Sequence, residues 1–244
     1  EVVGSRIGED VDAVIKLLDA RGRILAASDD EPGSGKDPRL AHIFSKDETA
    51  FIEVREVRYQ GGKFYRLRVG NFPLPMAAFP MVAQSGVETS FVSMDPSREK
   101  SLTRSTRASG LYGTPSRHSL GFRGREHDSS GFVPLRLVEE PQFIEKEPNN
   151  QFTEAHLIES SVTLNGHLQM PDDVDIYAFD LKRGQHLHFL PFGRSLGSPS
   201  FLLLSLQDEK GRILASAGEG NLAEEPLHHV ASADGRLFLH VSEL

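Results

Sequence analysis

Apolar and polar positions along the chain recur at a separation of 189 residues. The run VIKLLDARGRILAA, from Val14 to Ala27, returns as LLSLQDEKGRILAS, from Leu203 to Ser216. The match reaches back to Gly4 and Gly8, which fall on Gly193 and Gly197. It resumes after a two-residue deletion, where FIEVREV (Phe51 to Val57) meets FLHVSEL (Phe238 to Leu244). A recurrence at fixed offset reads as two copies of one structural unit. Within each copy, an apolar run, Asp-x-x-Gly and a second apolar run form the pattern of a β-hairpin. Phe51, Glu53 and Arg55 alternate with Ile52, Val54 and Glu56, the period of a half-buried strand. Asp175 to Leu181 and Gln185 to Leu190 read as a further hairpin turned by Lys182, Arg183 and Gly184. No segment sustains a 3.6-residue apolar stripe, so the chain is expected to be all-β, with at most a helical turn across Phe152 to Ile158. Val14, Leu17, Ile24, Leu25, Ile52 and Val54 are expected to be mostly buried, as are Leu203, Leu206, Ile213, Leu214, Leu239 and Val241.

The pattern divides the chain into residues 1–71, 72–140 and 141–244. The first copy has no counterpart of Asp175 to Leu190, and the second none of Tyr59 to Val69. Both copies are therefore expected to be partial, and the chain a fragment of a longer protein. Phe72-Pro73-Leu74-Pro75 reads as a linker, because proline cannot donate to a ladder. Thr89 to Met94 and Gly131 to Val138 read as strands of a small Ig-like β domain. Residues 98 to 126 hold seven Lys or Arg (Arg98, Lys100, Arg104, Arg107, Arg117, Arg123, Arg125) against Glu99 and Glu126, a net of +5. That segment reads as a solvated Ser/Thr-rich loop, with contact to an anionic polymer as the alternative.

Composition narrows the function classes. At 244 residues with 38% hydrophobic content, the chain can bury real cores. A net charge of −8 argues against a general nucleic-acid binder, which carries a basic face. With no cysteine, disulfides, thiolate nucleophiles and Cys-ligated zinc are excluded. No apolar run approaches the ~18 residues of a membrane span. With no Trp and four Tyr, stacking of glycans on aromatic platforms is disfavoured.

Two acidic segments carry the candidate chemistry. Glu145, Glu147 and Asn149 are spaced by two, so an extended segment would present all three on one side. Asp172, Asp173 and Asp175 cluster at a turn before the next strand. The residues support two readings: convergent oxygen donors for a hard cation such as Ca²⁺, or an acidic turn in which Asp173 or Asp175 bonds backbone. The sequence EKEPNN from Glu145, NGHL from Asn165, and PDDVDIYAFDLKRGQ from Pro171 to Gln185 resembles the bacterial pre-peptidase C-terminal (PPC) domain family. The resemblance covers about 170 residues as PPC-like copies. The tandem arrangement around a small β domain beginning Phe-Pro is similar to secreted proteins of planctomycete-type bacteria. It implies jelly-roll-like β-sandwich modules, secretion or placement in the cell envelope, and attachment to peptidases or other exported enzymes. Some members bind calcium and a polymer. The resemblance therefore implies a calcium ion held by Glu145, Glu147, Asn149, Asp172, Asp173 and Asp175. Asp29, Asp30 and Asp37 form a weaker second candidate, since the other copy has Gly218, Glu219 and Glu224 there.

Catalytic motifs fare less well. Gly193-Arg194-Ser195-Leu196-Gly197 matches G-x-S-x-G, but a nucleophile elbow needs a strand, a turn and a helix. Here a strand follows, and the first copy has Arg6 where Ser195 stands. Ten histidines invite a metal reading. His186 and His188 share a face and His228 and His229 are adjacent, yet no H-E-x-x-H occurs, and the expected role is surface. The expected function is a non-catalytic accessory, binding or spacer module of a secreted bacterial protein, with a protein or extracellular polymer as partner. The alternative is the non-catalytic portion of a secreted peptidase or other hydrolase whose catalytic domain lies elsewhere.

Overall fold

The computed structural model describes all residues except 96–99, 110–115, 124–128, 160 and 220–223. The fold is all-β, 47% strand and 3% helix. No helix among the described residues is long and apolar enough to cross a membrane.

The first unit holds β1 (Val2–Val3), β2 (Ala13–Asp19), β3 (Ile24–Ser28), β4 (Ala50–Glu56) and β5 (Arg66–Leu67). Strands β3, β2 and β4 form one sheet in that order, and β1 pairs with β5. Asp19 shapes the β2–β3 turn: its Oδ1 accepts the N–H groups of Arg21 at 2.8 Å and Arg23 at 2.9 Å. Gly22 takes φ 79°, the left-handed geometry that glycine tolerates best.

The second unit holds β6 (Val82–Gln84), β7 (Glu88–Asp95), β8 (Lys100–Arg107), β9 (Ser116–Arg123) and β10 (Ser129–Val138). Strand β10 lies between β9 and a parallel β6, while β7 and β8 form a separate hairpin. Phe91, Leu120, Phe122, Val133, Leu135 and Leu137 bury their side chains in one core. Residues 98 to 126 thus contain two strands rather than a loop. Their alternation was hidden because Ser and Thr occupy positions on both faces of β8. Arg98 and Arg125 lie outside the described residues.

The third unit holds β11 (Gln142–Ile144), β12 (His156–Leu157), β13 (Thr163–Asn165), β14 (Val174–Leu181), β15 (His186–Phe189), β16 (Leu202–Asp208), β17 (Ile213–Ala217), β18 (Leu227–Val230) and β19 (Gly235–Glu243). Its main sheet runs β12-β14-β19-β16-β17, with β15–β18 and β11–β13 as separate pairs. Tyr177, Phe179, Leu204, Leu206 and Leu239 from the main sheet and Leu227 from β18 bury one core, against which Leu187 and Phe189 pack. Strands β14 and β15 are therefore not a hairpin. Each pairs elsewhere, and their apolar faces meet across the core, with the Phe179 and Phe189 rings 5.4 Å apart.

Residues 189 apart occupy like elements. The β16–β17 turn is held by Asp208, whose Oδ1 accepts from Lys210 and Arg212, both at 3.0 Å, with Gly211 at φ 75°. Both hairpins shift register at the same place, after Leu17 and after Leu206. The copies differ at one sheet edge. In the third unit β14 lies beyond β19, placing Tyr177 opposite Leu239. Among the described residues no strand lies beyond β4, so Ile52 is 40% exposed while its counterpart Leu239 is 3% exposed. Ile24 and Ile213, at the starts of edge strands, are also exposed, contrary to the apolar pattern. Leu17 and Leu206 are buried.

The units meet through specific contacts. Val82, Val138 and Leu196 form a small shared core. Asn165 Oδ1 accepts the N–H of Val82 at 3.2 Å. Arg117 bridges all three units, donating to the carbonyls of Gly33 at 2.6 Å and Ser195 at 3.1 Å.

Candidate metal centre

Strand β14 begins where an acidic turn ends, and its alternation sends Asp175 and Tyr177 to the same side. Both side chains are buried, at 2% exposure each. Beside them, β11 and β13 pair in parallel, with Glu145 donating its backbone N–H to Asn165 at 3.1 Å. The pairing is parallel because the intervening residues cross over to place β12 beside β14. It carries Glu145 and Glu147 to Asp175. One carboxylate oxygen from each of the three lies within 4.8 Å of the other two.

The geometry differs from a straight extended segment. Glu145 to Asn149 carries no strand, and a bend falls at Glu147. Asn149 nevertheless joins the site through its backbone: its N–H donates to Glu147 Oε2 at 3.1 Å, and its carbonyl accepts from Ile176 at 2.9 Å. The Asn149 side chain is fully buried, yet neither Oδ1 nor Nδ2 has a partner. Asp175 Oδ1 is likewise buried and unpartnered. Unpaired buried polar atoms cost free energy, which a bound ion or water would offset.

Charge repeats the message. Burial, then a hydrogen bond with Glu145, then the charges of Glu145, Asp173 and Glu147 push the Asp175 carboxyl up to about 8. Burial, followed by the charges of Asp175, Glu145 and Glu147, pushes the Tyr177 phenol up as well. Tyr177 donates its O–H to Glu145 Oε2 at 3.3 Å, and the His167 N–H donates to Glu145 Oε1. Three carboxylates and an amide oxygen supply hard donors of the kind Ca²⁺ prefers; backbone carbonyls and water commonly complete such a shell.

Asp172 and Asp173 are placed differently. Asp173 holds the turn: its Oδ2 accepts the Gln169 N–H at 2.6 Å, and its Oδ1 accepts from Val174 at 3.1 Å and the Asn150 amide at 3.0 Å. Asp172 is exposed and takes φ 66°. Neither belongs to the three-carboxylate group. The spacing pattern missed Tyr177 and Gly166. A Cβ at Gly166 would stand 2.7 Å from Asp175 Oδ2 and 2.8 Å from Glu145 Oε2. The N-G pair before the acidic turn was the available signal.

Asp29 and Asp30 group with Asp12, not with Asp37. Burial, then Asp12 and Asp29, pushes the Asp30 carboxyl up. Arg58 at 3.6 Å and Lys36 at 3.9 Å answer the charge of Asp12. Asp37 is buried beneath the Ser5–Ile7 3₁₀ turn and accepts from its backbone. The G-x-S-x-G motif forms the equivalent 3₁₀ turn, Arg194–Leu196, closed by Gly197 at φ 100°. No family model matches the chain and no curated protein matches it.

Proposed function

We propose that the chain is a non-catalytic accessory module of an exported bacterial protein, built from two copies of one β unit around a smaller β domain and steadied by calcium. The reading rests on the sequence resemblance together with the buried, unpartnered Asp175 and Asn149 beside Glu145 and Glu147. A divalent cation there would relieve the mutual repulsion of three carboxylates and satisfy the orphaned oxygens. It would also tie the segment leading from β10 onto the face of β14, fixing how the third unit joins the second. The G-x-S-x-G residues support a structural role, since their turn recurs at Gly4–Gly8 without the serine in place. A protein or extracellular polymer is the expected partner class.

Thermal melting in calcium and in chelator, at constant ionic strength, tests the calcium site. Ligand that binds only the folded state stabilises by about 2.7 kcal/mol at a hundredfold excess over Kd. Calcium should raise the melting temperature of the parent, and Glu147→Gln combined with Asp175→Asn should abolish the rise. Equal melting temperatures in calcium and chelator would reject the reading.

A further inference from the structure

We propose a second metal site, for a borderline d-block dication such as Zn²⁺, on the outer face of the β15–β18 ribbon. Its ligands are His186, His188 and His228. In this antiparallel pair His188 stands directly opposite His228, and His186 lies two residues before His188 on the same strand. Alternation therefore sends all three imidazoles outward. Leu187 and Phe189 pack with Leu227 against the third-unit core on the inner face, which His229, opposite Leu187, shares. His186, His188 and His228 are exposed, so the fold gains nothing from burying them.

The His188 and His228 rings converge, and His186 stacks beside His188. Nδ1 of His188 lies 2.6 Å from Nδ1 of His228, with ring centroids 4.6 Å apart and planes at 76°. The His186 and His188 rings stack in parallel, 6.2 Å apart and 6° from coplanar orientation. At that separation the facing nitrogens are in hydrogen-bond contact, with one donating to the other, and a cation can take the proton's place. Zn–N bonds of about 2.0–2.1 Å at tetrahedral angles separate ligand nitrogens by about 3.3 Å. The pair therefore needs to open by less than an ångström. A rotation of His186 about its side-chain torsions brings a third nitrogen from the same strand. Imidazole is a ligand for Zn²⁺, Cu²⁺ and Ni²⁺ and is a poor one for Ca²⁺, which prefers oxygen. The site is thus chemically distinct from the carboxylate cluster. Bound metal would clamp β15 to β18, a pair joined to each other by only four register positions.

Zn²⁺ titration by calorimetry at pH 7.5 tests the site, with millimolar Ca²⁺ present to saturate oxygen ligands. The parent should bind one Zn²⁺ more tightly than about 10 µM. His188→Ala and His228→Ala should each weaken binding at least tenfold, His186→Ala by a smaller factor, and His42→Ala not at all. These positions are exposed, and parent-like melting in chelator would confirm that each variant folds. In the unmutated protein, the imidazole NMR signals of His186, His188 and His228 should shift on Zn²⁺ addition, ahead of the other seven histidines. Parent affinity weaker than about 100 µM would overturn the proposal. So would unchanged affinity in the His188→Ala/His228→Ala double variant, or shifts confined to other histidines.

Discussion

Asp37 and Glu224 perform one task in two places. Asp37 Oδ1 accepts the N–H groups of Gly4 at 2.9 Å and Ser5 at 2.7 Å, and its Oδ2 accepts from Arg6. Glu224 Oε1 accepts those of Gly193 at 2.6 Å and Ser195 at 2.8 Å. Each carboxylate thus fills the orphan donors of a 3₁₀ turn that ends in a left-handed glycine. Asp37 is fully buried and also meets Arg6 Nε at 2.8 Å. Asp37→Ala would strand these donors and should destabilise by about 1–3 kcal/mol in chemical denaturation.

The same carboxylate sets an acid dependence. Burial pushes the Asp37 carboxyl up, but the Arg6 side chain and the N–H groups of Arg6, Gly4 and Ser5 outweigh it, and the net shift is downward. A group depressed in the folded state stabilises above its unfolded value, near 3.9, and that contribution is lost as pH falls through the folded value. Asp37→Asn should therefore be less stable than the parent at pH 7, with the gap narrowing steadily below about pH 4. Denaturation midpoints from pH 2 to 7 check this; a constant gap would count against a charge contribution from Asp37.

Apolar pattern alone would assign Leu206 and Ile213 equal weight in the core, and the structure separates them. Leu206 is fully buried between β17 and β19, while Ile213 is 61% exposed on an edge strand. Leu206→Ala should cost about 2–5 kcal/mol. Ile213→Ala should stay within about 0.5 kcal/mol, as surface substitutions do. Urea unfolding of both variants measures the difference.

These outcomes mark what the sequence could and could not carry. The two Asp-x-x-Gly hairpins were legible because the turn chemistry is local: one aspartate and one glycine fix each. Pairing between distant strands was not. Alternation shows that β14 and β15 each have an apolar face, but it does not say that the two faces meet across a core instead of lying in one sheet. Ile52 and Leu239 have the same neighbours in sequence pattern and differ in exposure because, among the described residues, a strand lies beyond β19 and none beyond β4. At the candidate metal centre, Glu145, Glu147 and Asn149 read as alternating donors of an extended segment, but a bend at Glu147 replaces that geometry, and Asp175 reaches Glu145 and Glu147 from β14. Asp173 was indistinguishable from them, because a turn-capping aspartate and a ligand look alike until the Gln169 and Val174 N–H groups are placed.

Ser195 provides a control on the motif that contains it. Its backbone N–H, which alanine retains, is what bonds Glu224. Ser195→Ala should therefore change stability by no more than about 0.5 kcal/mol. Glu224→Ala removes the acceptor for both Gly193 and Ser195 and should lose about 1–3 kcal/mol. Thermal melts of the pair distinguish a turn held by a carboxylate from one that depends on the serine hydroxyl.

Gly166 offers the sharpest test of the proposed calcium site, because it acts on the space between the carboxylates and leaves their chemistry intact. A Cβ there would stand 2.7 Å from Asp175 Oδ2, 2.8 Å from Glu145 Oε2 and 3.0 Å from the Tyr177 hydroxyl. Real Cβ atoms do not approach so closely, so Asp175 and Glu145 must move apart in Gly166→Ala. At a hundredfold excess of calcium over Kd, the parent should gain about 2.7 kcal/mol, or roughly 5–11 °C for a chain of this size. In Gly166→Ala that gain should fall by at least half, while the melting temperature in chelator drops by less than the calcium shift that is lost. The reasoning is that displaced carboxylates repel less without metal and coordinate less well with it. A parent that gains stability in calcium while Gly166→Ala gains just as much would locate the bound ion away from Glu145 and Asp175.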